Sequence, residues 1–230
     1  MKTIGLLGGM SWESTVTYYQ TINRSVGAAL GGLHSARIVL HSVEFHAISE
    51  LQHAGRWQQA GAMLADAASS LARAGADFLV LCTNTMHRVA PQIEAATRLP
   101  LLHIADATAE RIAAAGIERV ALLGTRFTME QDFYRGRLEQ QHGLGVLVPP
   151  AEDRTIVHRV IYEELCRGRV DAGSRDGYRR IVDDLVAAGA QGVILGCTEI
   201  GLLLQQADVP VPLFDTARIH AEAAARFALA

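Results

Sequence analysis

Ala74-Gly75-Ala76-Asp77-Phe78-Leu79-Val80-Leu81-Cys82-Thr83-Asn84-Thr85 aligns without gaps on Ala188-Gly189-Ala190-Gln191-Gly192-Val193-Ile194-Leu195-Gly196-Cys197-Thr198-Glu199. Each stretch reads as the end of a helix, then an apolar run with the length of a buried strand, then a polar turn. Two shorter pairs keep the same order: Ile4–Met10 against Val120–Arg126, and Leu99–Asp106 against Val209–Asp215. The pattern predicts a duplicated α/β unit folded as two lobes related by a pseudo-two-fold axis. Residues 1–100 form the first lobe, completed by a helix over 215–230, and residues 101–214 form the second. The register sets Thr83 opposite Cys197. The copies therefore differ where matched turns would face a small molecule across a shared cleft.

Outside that stretch the same alternation continues. Short apolar runs predict buried strands at Ile4–Leu7, Ile38–Val43, Phe78–Leu81, Leu101–Ile104, Val120–Leu123, Val146–Val148, Val193–Leu195 and Val211–Phe214. Alanine-rich helical stretches lie between them, among them Trp57–Ala74, Asp106–Ala115, Ile156–Cys166, Tyr178–Ala188 and Ala217–Leu229. Strand–helix alternation implies parallel sheets, one per lobe, covered by helices on both faces. Ligands of such sheets bind beyond the carboxyl ends of the strands. The turns Gly8–Ser11, Thr83–Thr85, Thr125–Thr128 and Cys197–Glu199 all fall there.

Composition narrows the chemistry. The chain has 230 residues, half of them apolar, and a net charge of −3. No basic face suits a phosphate backbone, so nucleic acid is not an expected partner. Lys2 is the only lysine. It precedes the first strand, where solvent would reach it, and a pyridoxal phosphate enzyme needs a buried Schiff-base lysine. Cys82, Cys166 and Cys197 are odd in number and widely spaced, which fits neither a disulfide framework nor a zinc site. The nine histidines contain no His-Glu-x-x-His pattern. No cofactor and no metal are expected. The apolar start is broken by Gly5, Gly8 and Gly9 and lacks a cleavage site, and no run reaches the roughly 20 residues that span a bilayer. These features predict a cytoplasmic protein with no membrane association.

Each candidate has a plain reading beside the chemical one. Gly8-Gly9-Met10-Ser11 opens a helix after a strand, which suits a carboxylate or a tight structural turn. Thr125–Thr128 offers a second donor cluster, so the two together suit a dicarboxylate. Cys197 is either a thiolate favoured by helix N-terminal amides or a small packing residue. Cys82, one residue out of register, should face the core, and Cys166 should lie on a helix. His87 either caps structure or shuttles protons.

Leu81-Cys82-Thr83-Asn84-Thr85-Met86-His87, Gly196-Cys197-Thr198-Glu199 and the opening Ile4–Ser11 together resemble the aspartate/glutamate racemase family, which works without pyridoxal phosphate. The likeness spans essentially the whole chain, and within the family it is strongest to bacterial racemases acting on L-aspartate and L-glutamate. The resemblance implies two α/β lobes with the active site between them, a homodimer, and an amino-acid substrate. Members carry Cys-Asn-Thr in the first half and Gly-Cys-Thr in the second. Here Thr83 occupies the first cysteine slot. The resemblance makes Cys197 the base that deprotonates the L-enantiomer and Thr83 the group on the other face. It implies substrate-binding roles for Gly9, Met10, Gln52, Asn84, Thr85, Thr125, Arg167, Thr198 and Glu199, with Gln52 and Arg167 near the substrate side chain. Hydantoin racemisation, maleate isomerisation and arylmalonate decarboxylation run on the same fold. A binding protein that lost catalysis at Thr83 is the alternative of another class.

Overall fold

A computed structural model describes all 230 residues. The chain divides into two compact units, Met1–Ile104 with Ala217–Ala230, and Ala105–Thr216. It passes from the first to the second in the opening turn of one helix and returns in the opening turn of another.

Unit 1 runs β1 (Ile4–Gly8), α1 (Trp12–Leu30), β2 (Ile38–Ser42), α2 (Phe45–His53), α3 (Trp57–Arg73), β3 (Phe78–Leu81), a 3-10 turn at Thr85–Val89, α4 (Ala90–Thr97) and β4 (Leu101–Leu102). The four strands are parallel in the order β2-β1-β3-β4. Parallel neighbours cannot be joined by a hairpin, so each crossover is helical. Alternate strand residues serve opposite faces of the sheet. Leu7, Leu79 and Leu81 join Leu64, Ala68 and Leu71 of α3 and Ile93 of α4 on one side. Ile4, Leu6, Phe78, Val80 and Cys82 join Tyr18, Ile22 and Val26 of α1 on the other.

Unit 2 runs α5 (Ile104–Ala114), β5 (Arg119–Gly124), α6 (Arg126–Glu130), α7 (Arg135–His142), β6 (Gly145–Leu147), α8 (Ala151–Glu163), a 3-10 turn at Leu165–Arg167, α9 (Ala172–Ala187), β7 (Val193–Gly196), α10 (Ile200–Leu203), a 3-10 turn at Gln206–Asp208, β8 (Leu213–Asp215) and α11 (Thr216–Leu229). Its parallel sheet has the order β6-β5-β7-β8, which repeats that of unit 1. The Asp106 carboxylate is gripped bidentately by Arg137 at 2.6 and 2.7 Å and meets His142 at 2.9 Å, tying α5 to α7. From Ala217 onward, α11 belongs to unit 1. Its Ala217, Ala221, Ala224 and Ala228 complete the α1 side of that sheet. Lys2 is not simply solvated. Its ammonium stands 4.6 Å from the Phe227 ring centroid and donates to Phe227 O.

Several expectations change, among them the strand expected at Leu101–Ile104, which ends at Leu102 because α5 already begins at Ile104. Only the central strands are sealed on both faces. β2, β4 and β6 are edges, and none of their residues is fully buried. Cys166 lies in the 3-10 turn after α8, because that helix stops at Glu163. The last strand begins at Leu213, since Pro210 and Pro212 have no N–H for a ladder.

The layering makes a stability test. Leu122 is buried in the central β5, whereas Leu147 sits on the edge strand β6. Leu122→Ala should cost about 2–5 kcal/mol in urea unfolding, and Leu147→Ala about half as much or less.

Candidate active site

In unit 1, β1 and β3 end side by side, with Leu7 in register with Leu81. The Cys82 N–H donates to Leu7 O at 2.9 Å. The Gly8–Ser11 and Thr83–Thr85 turns therefore leave the sheet together. Gly9 has φ +97°, and a Cβ there would stand 2.2 Å from Val43 O, so the turn requires glycine. Its N–H donates to Thr15 Oγ1 at 2.9 Å, and that hydroxyl donates to Ser11 O at 3.0 Å. Gly9 thus shapes the turn, with its donor spent internally on Thr15. Met10 is buried in the same core cluster as Met86. Gln52, buried on α2, donates to Met86 Sδ at 2.9 Å.

Thr83, Asn84 and Thr85 are buried polar residues. Thr83 O accepts from His87 Nδ1 at 2.8 Å, and His87 Nε2 accepts from the Ile104 N–H at 3.2 Å. An acceptor at Nε2 and a donor at Nδ1 define one neutral tautomer. Both ring nitrogens are thereby engaged with backbone, which makes His87 a brace for the Thr83 turn rather than a proton shuttle. Behind it the His103 ring lies edge-on at 4.4 Å. His220 of α11 spans Tyr18 OH at 2.9 Å and Leu102 O at 2.8 Å. The thiol in this turn is Cys82, on the core side of β3. Burial pushes its pKa up.

Unit 2 repeats the arrangement with different chemistry. Gly124 and Gly196 stand in register at the ends of β5 and β7. A Cβ on Gly124 would lie 2.9 Å from Gly196 O, and one on Gly196 the same distance from Leu123 O. Two glycines let the turns approach. Thr125 is the N-cap of α6, its Oγ1 accepting from the Thr128 N–H at 3.3 Å, while the Arg126 N–H donates to His158 Nδ1 at 3.2 Å. The expected donor cluster at Thr125–Thr128 is thus partly spent on its own loop and on α8. Cys197 Sγ donates to Glu199 Oε2 at 2.9 Å, and Thr198 Oγ1 donates to the same oxygen at 2.8 Å. Burial, then the negative carboxylate of Glu199, pushes the Cys197 thiol well above its ordinary pKa. The expectation of a thiolate favoured by helix amides is reversed in the resting protein.

Gly9, Met10, Gln52, Thr83, Asn84 and Thr85 lie in unit 1, and Thr125, Cys197, Thr198 and Glu199 in unit 2. Arg167 is exposed in the 3-10 turn after α8. Tyr162 was not foreseen. Its hydroxyl is raised by burial, then by Cys197, Cys166 and Glu199, and its ring lies 4.8 Å from His158. The i, i+4 spacing of His158 and Tyr162 places both on one face of α8, which is the signal that could have found it.

A profile of the Asp/Glu/Hydantoin racemase family matches residues 7–224. The chain belongs to that family. It is similar to a Yersinia pestis protein assigned to the Asp/Glu racemases, with 59% identity, full coverage of both chains and a TM-score of 0.94. An aspartate racemase homologue from Pyrococcus horikoshii OT3 is 34% identical, again over both full chains, with a TM-score of 0.84. A broad-specificity amino-acid racemase from Bacillus subtilis, RacX, is 20% identical over 93% of this chain and 92% of its own length. The protein is accordingly an isomerase, an amino-acid racemase of the kind that uses no pyridoxal phosphate.

A racemase must break and remake a Cα–H bond, so the groups that can hold a proton matter most. The strand-end thiol of Cys197 and the carboxylate of Glu199 beside it can each hold a proton. Glu199→Gln removes the negative charge that disfavours the thiolate. The pH midpoint for alkylation of Cys197 by iodoacetamide should therefore move down, while racemisation falls. A midpoint that stays put or rises would show that the carboxylate does not govern the thiol.

Proposed function

We propose that the chain interconverts the L- and D-forms of aspartate and glutamate by Cα proton transfer without a cofactor, with preference for the L-substrate, as a homodimer in the cytoplasm. One observation carries this reading. Cys197 Sγ is hydrogen-bonded to Glu199 Oε2 at 2.9 Å, whereas the equivalent turn of unit 1 offers the hydroxyl of Thr83. The two copies have unequal acid–base strength.

Glu199 takes the proton of the Cys197 thiol as substrate binds. The thiolate then removes the Cα proton of the L-enantiomer, so the proton formerly on carbon resides on sulfur. A threonine hydroxyl is far too weak an acid to stand as an alkoxide. Thr83 instead hands its proton to the opposite face of the carbanion while taking one from a water molecule, and the hydroxide so formed is neutralised by the proton that Glu199 took, which returns every group to its starting state. Asn84, Thr85, Thr125 and Thr198 are the groups suited to stabilise the charge that develops at the α-carboxylate, whereas Gly9 and Met10 shape the unit 1 turn. Gln52 and Arg167 engage the distal carboxylate. Cys82 suits the role of second group less well, because it is buried in the core on the α1 side of β3 and burial pushes its thiol pKa up.

Chiral analysis of products and solvent deuterium incorporation at Cα test this reading on the protein as purified. A binding protein would take up amino acid without exchange, and that result would overturn it. Cys197→Ser should lower kcat/KM for L-aspartate or L-glutamate by roughly a thousandfold or more, with an unchanged circular dichroism spectrum. Substantial residual activity would remove Cys197 from the role of base.

Thr83→Cys supplies a thiol where the native protein has a hydroxyl. The equilibrium constant between enantiomers is one, so kcat/KM stays equal for the two directions in any variant. The native bias must lie in kcat and KM separately. Thr83→Cys should raise kcat for the D-enantiomer more than for the L-enantiomer, by about tenfold or more, with KM rising in proportion. Thr83→Ala should lose more activity than a packing defect explains. Unchanged rates in both variants would remove Thr83 from the reaction.

A further inference from the structure

The outer face of α1 carries large apolar side chains that the chain itself leaves uncovered. Trp12 is 64% exposed, Val16 44% and Tyr19 52%. Spaced i, i+4 and i+7, they form one stripe along two turns of helix. The inner face of α1, through Tyr18, Ile22 and Val26, is sealed in the core, so the helix is fixed with this stripe outward. Leu40 is a further exposed apolar residue on the α1 side of the sheet. It lies on the edge strand β2, two residues after Ile38, whose side chain packs on the α1 side of the sheet, and it is 46% exposed. Together these four side chains present on the order of 400 Å² of surface, the size at which a contiguous patch marks an interaction site.

The charges flanking the stripe identify the occupant. Glu13 and Arg24 are eleven residues apart on α1, which places them within roughly 20° of the same flank and about 16 Å apart along the axis. They are too distant to pair with each other. An antiparallel second copy of α1, related by a two-fold axis, reverses their order and sets acid against base at both ends. In that arrangement Val16 of each copy meets Tyr19 of the other. Trp12 falls against Asn23 and Gly27, where no large side chain stands, and Glu13 comes within reach of Arg24. Two-fold pairing of this kind needs one self-complementary patch, which is what the stripe and its flank provide. The stripe and Leu40 contribute about 800 Å² buried in total across two copies, and the polar flanks bring this toward the roughly 1,200 Å² of a small stable interface.

We propose that α1 is the dimerisation helix, pairing antiparallel with α1 of a second copy of this chain through Trp12, Val16 and Tyr19. The proposal rests on the homodimer reading above and names its face. Trp12 directly follows the turn that holds Met10, so pairing would also fix the N-terminal end of α1 where that turn leaves the sheet.

Sedimentation velocity of the full chain over about 1–100 µM tests this. The wild type should be dimeric. Val16→Asp, at an exposed position that folding tolerates, should raise the dimer dissociation constant about a hundredfold, with an unchanged circular dichroism spectrum. Glu13→Arg and Arg24→Glu should each weaken the dimer about tenfold, and the double reversal should restore it. A wild type that stays monomeric throughout overturns both the face and the homodimer reading. A dimer untouched by Val16→Asp, or a double reversal no better than either single change, overturns the face alone and leaves the homodimer reading standing.

Discussion

Parallel pairing of β1 with β3, and of β5 with β7, is the constraint from which the rest of the architecture follows. Parallel strands must be joined by crossovers, and the crossovers here are helices that cover both faces of unit 1. The same direction of travel brings every strand-end turn of a unit to one edge of its sheet. Gly9, Gly124 and Gly196 serve that geometry by letting backbone approach backbone where a Cβ would collide. Thr83 and Cys197 stand on these turns, so their positions are inherited from the sheets.

Within that frame the two copies have diverged in acid–base character. The unit 2 turn pairs a thiol with a carboxylate, and the resting arrangement keeps the proton on sulfur. The unit 1 turn is built from neutral groups: a hydroxyl, an amide, and an imidazole whose two nitrogens are both committed to backbone. A carboxylate that disfavours the thiolate also offers a place for its proton. The same contact therefore both holds the thiol in its protonated form and lies where a proton leaving it could go.

Much of this was legible in the residues. The ungapped repeat from Ala74 and from Ala188 predicts two sheets of like topology, and strand order 2-1-3-4 recurs as 6-5-7-8. Alternation along β3 predicts that Cys82 faces the core, where it lies. Other features depend on tertiary context. The edge character of β2, β4 and β6 is set by which strand lies beside which, and an apolar run such as Ile38–Leu40 does not encode it. Short helices such as α6 have too few turns to show a period. The direction of the Cys197 shift depends on a side-chain rotamer, that of Glu199, which no spacing rule specifies. The N–H groups of Gly9, Arg126 and Thr128 look available in a sequence, but Thr15, His158 and Thr125 already occupy them.

The return of α11 to unit 1 has a consequence for the order in which the protein is made. Lys2 N–H donates to Ala228 O at 2.8 Å, so the two ends of the described chain meet in one unit. Unit 2 is continuous and has all its residues once Thr216 has left the ribosome. Unit 1 starts first yet lacks the helix that seals Ile4, Phe78 and Val80 until residues 217–230 emerge. A nascent chain therefore carries an open apolar face on its oldest sheet while the younger unit is completed. Domains otherwise tend to fold from the N-terminus during synthesis. In this topology the first unit begun is the last one closed.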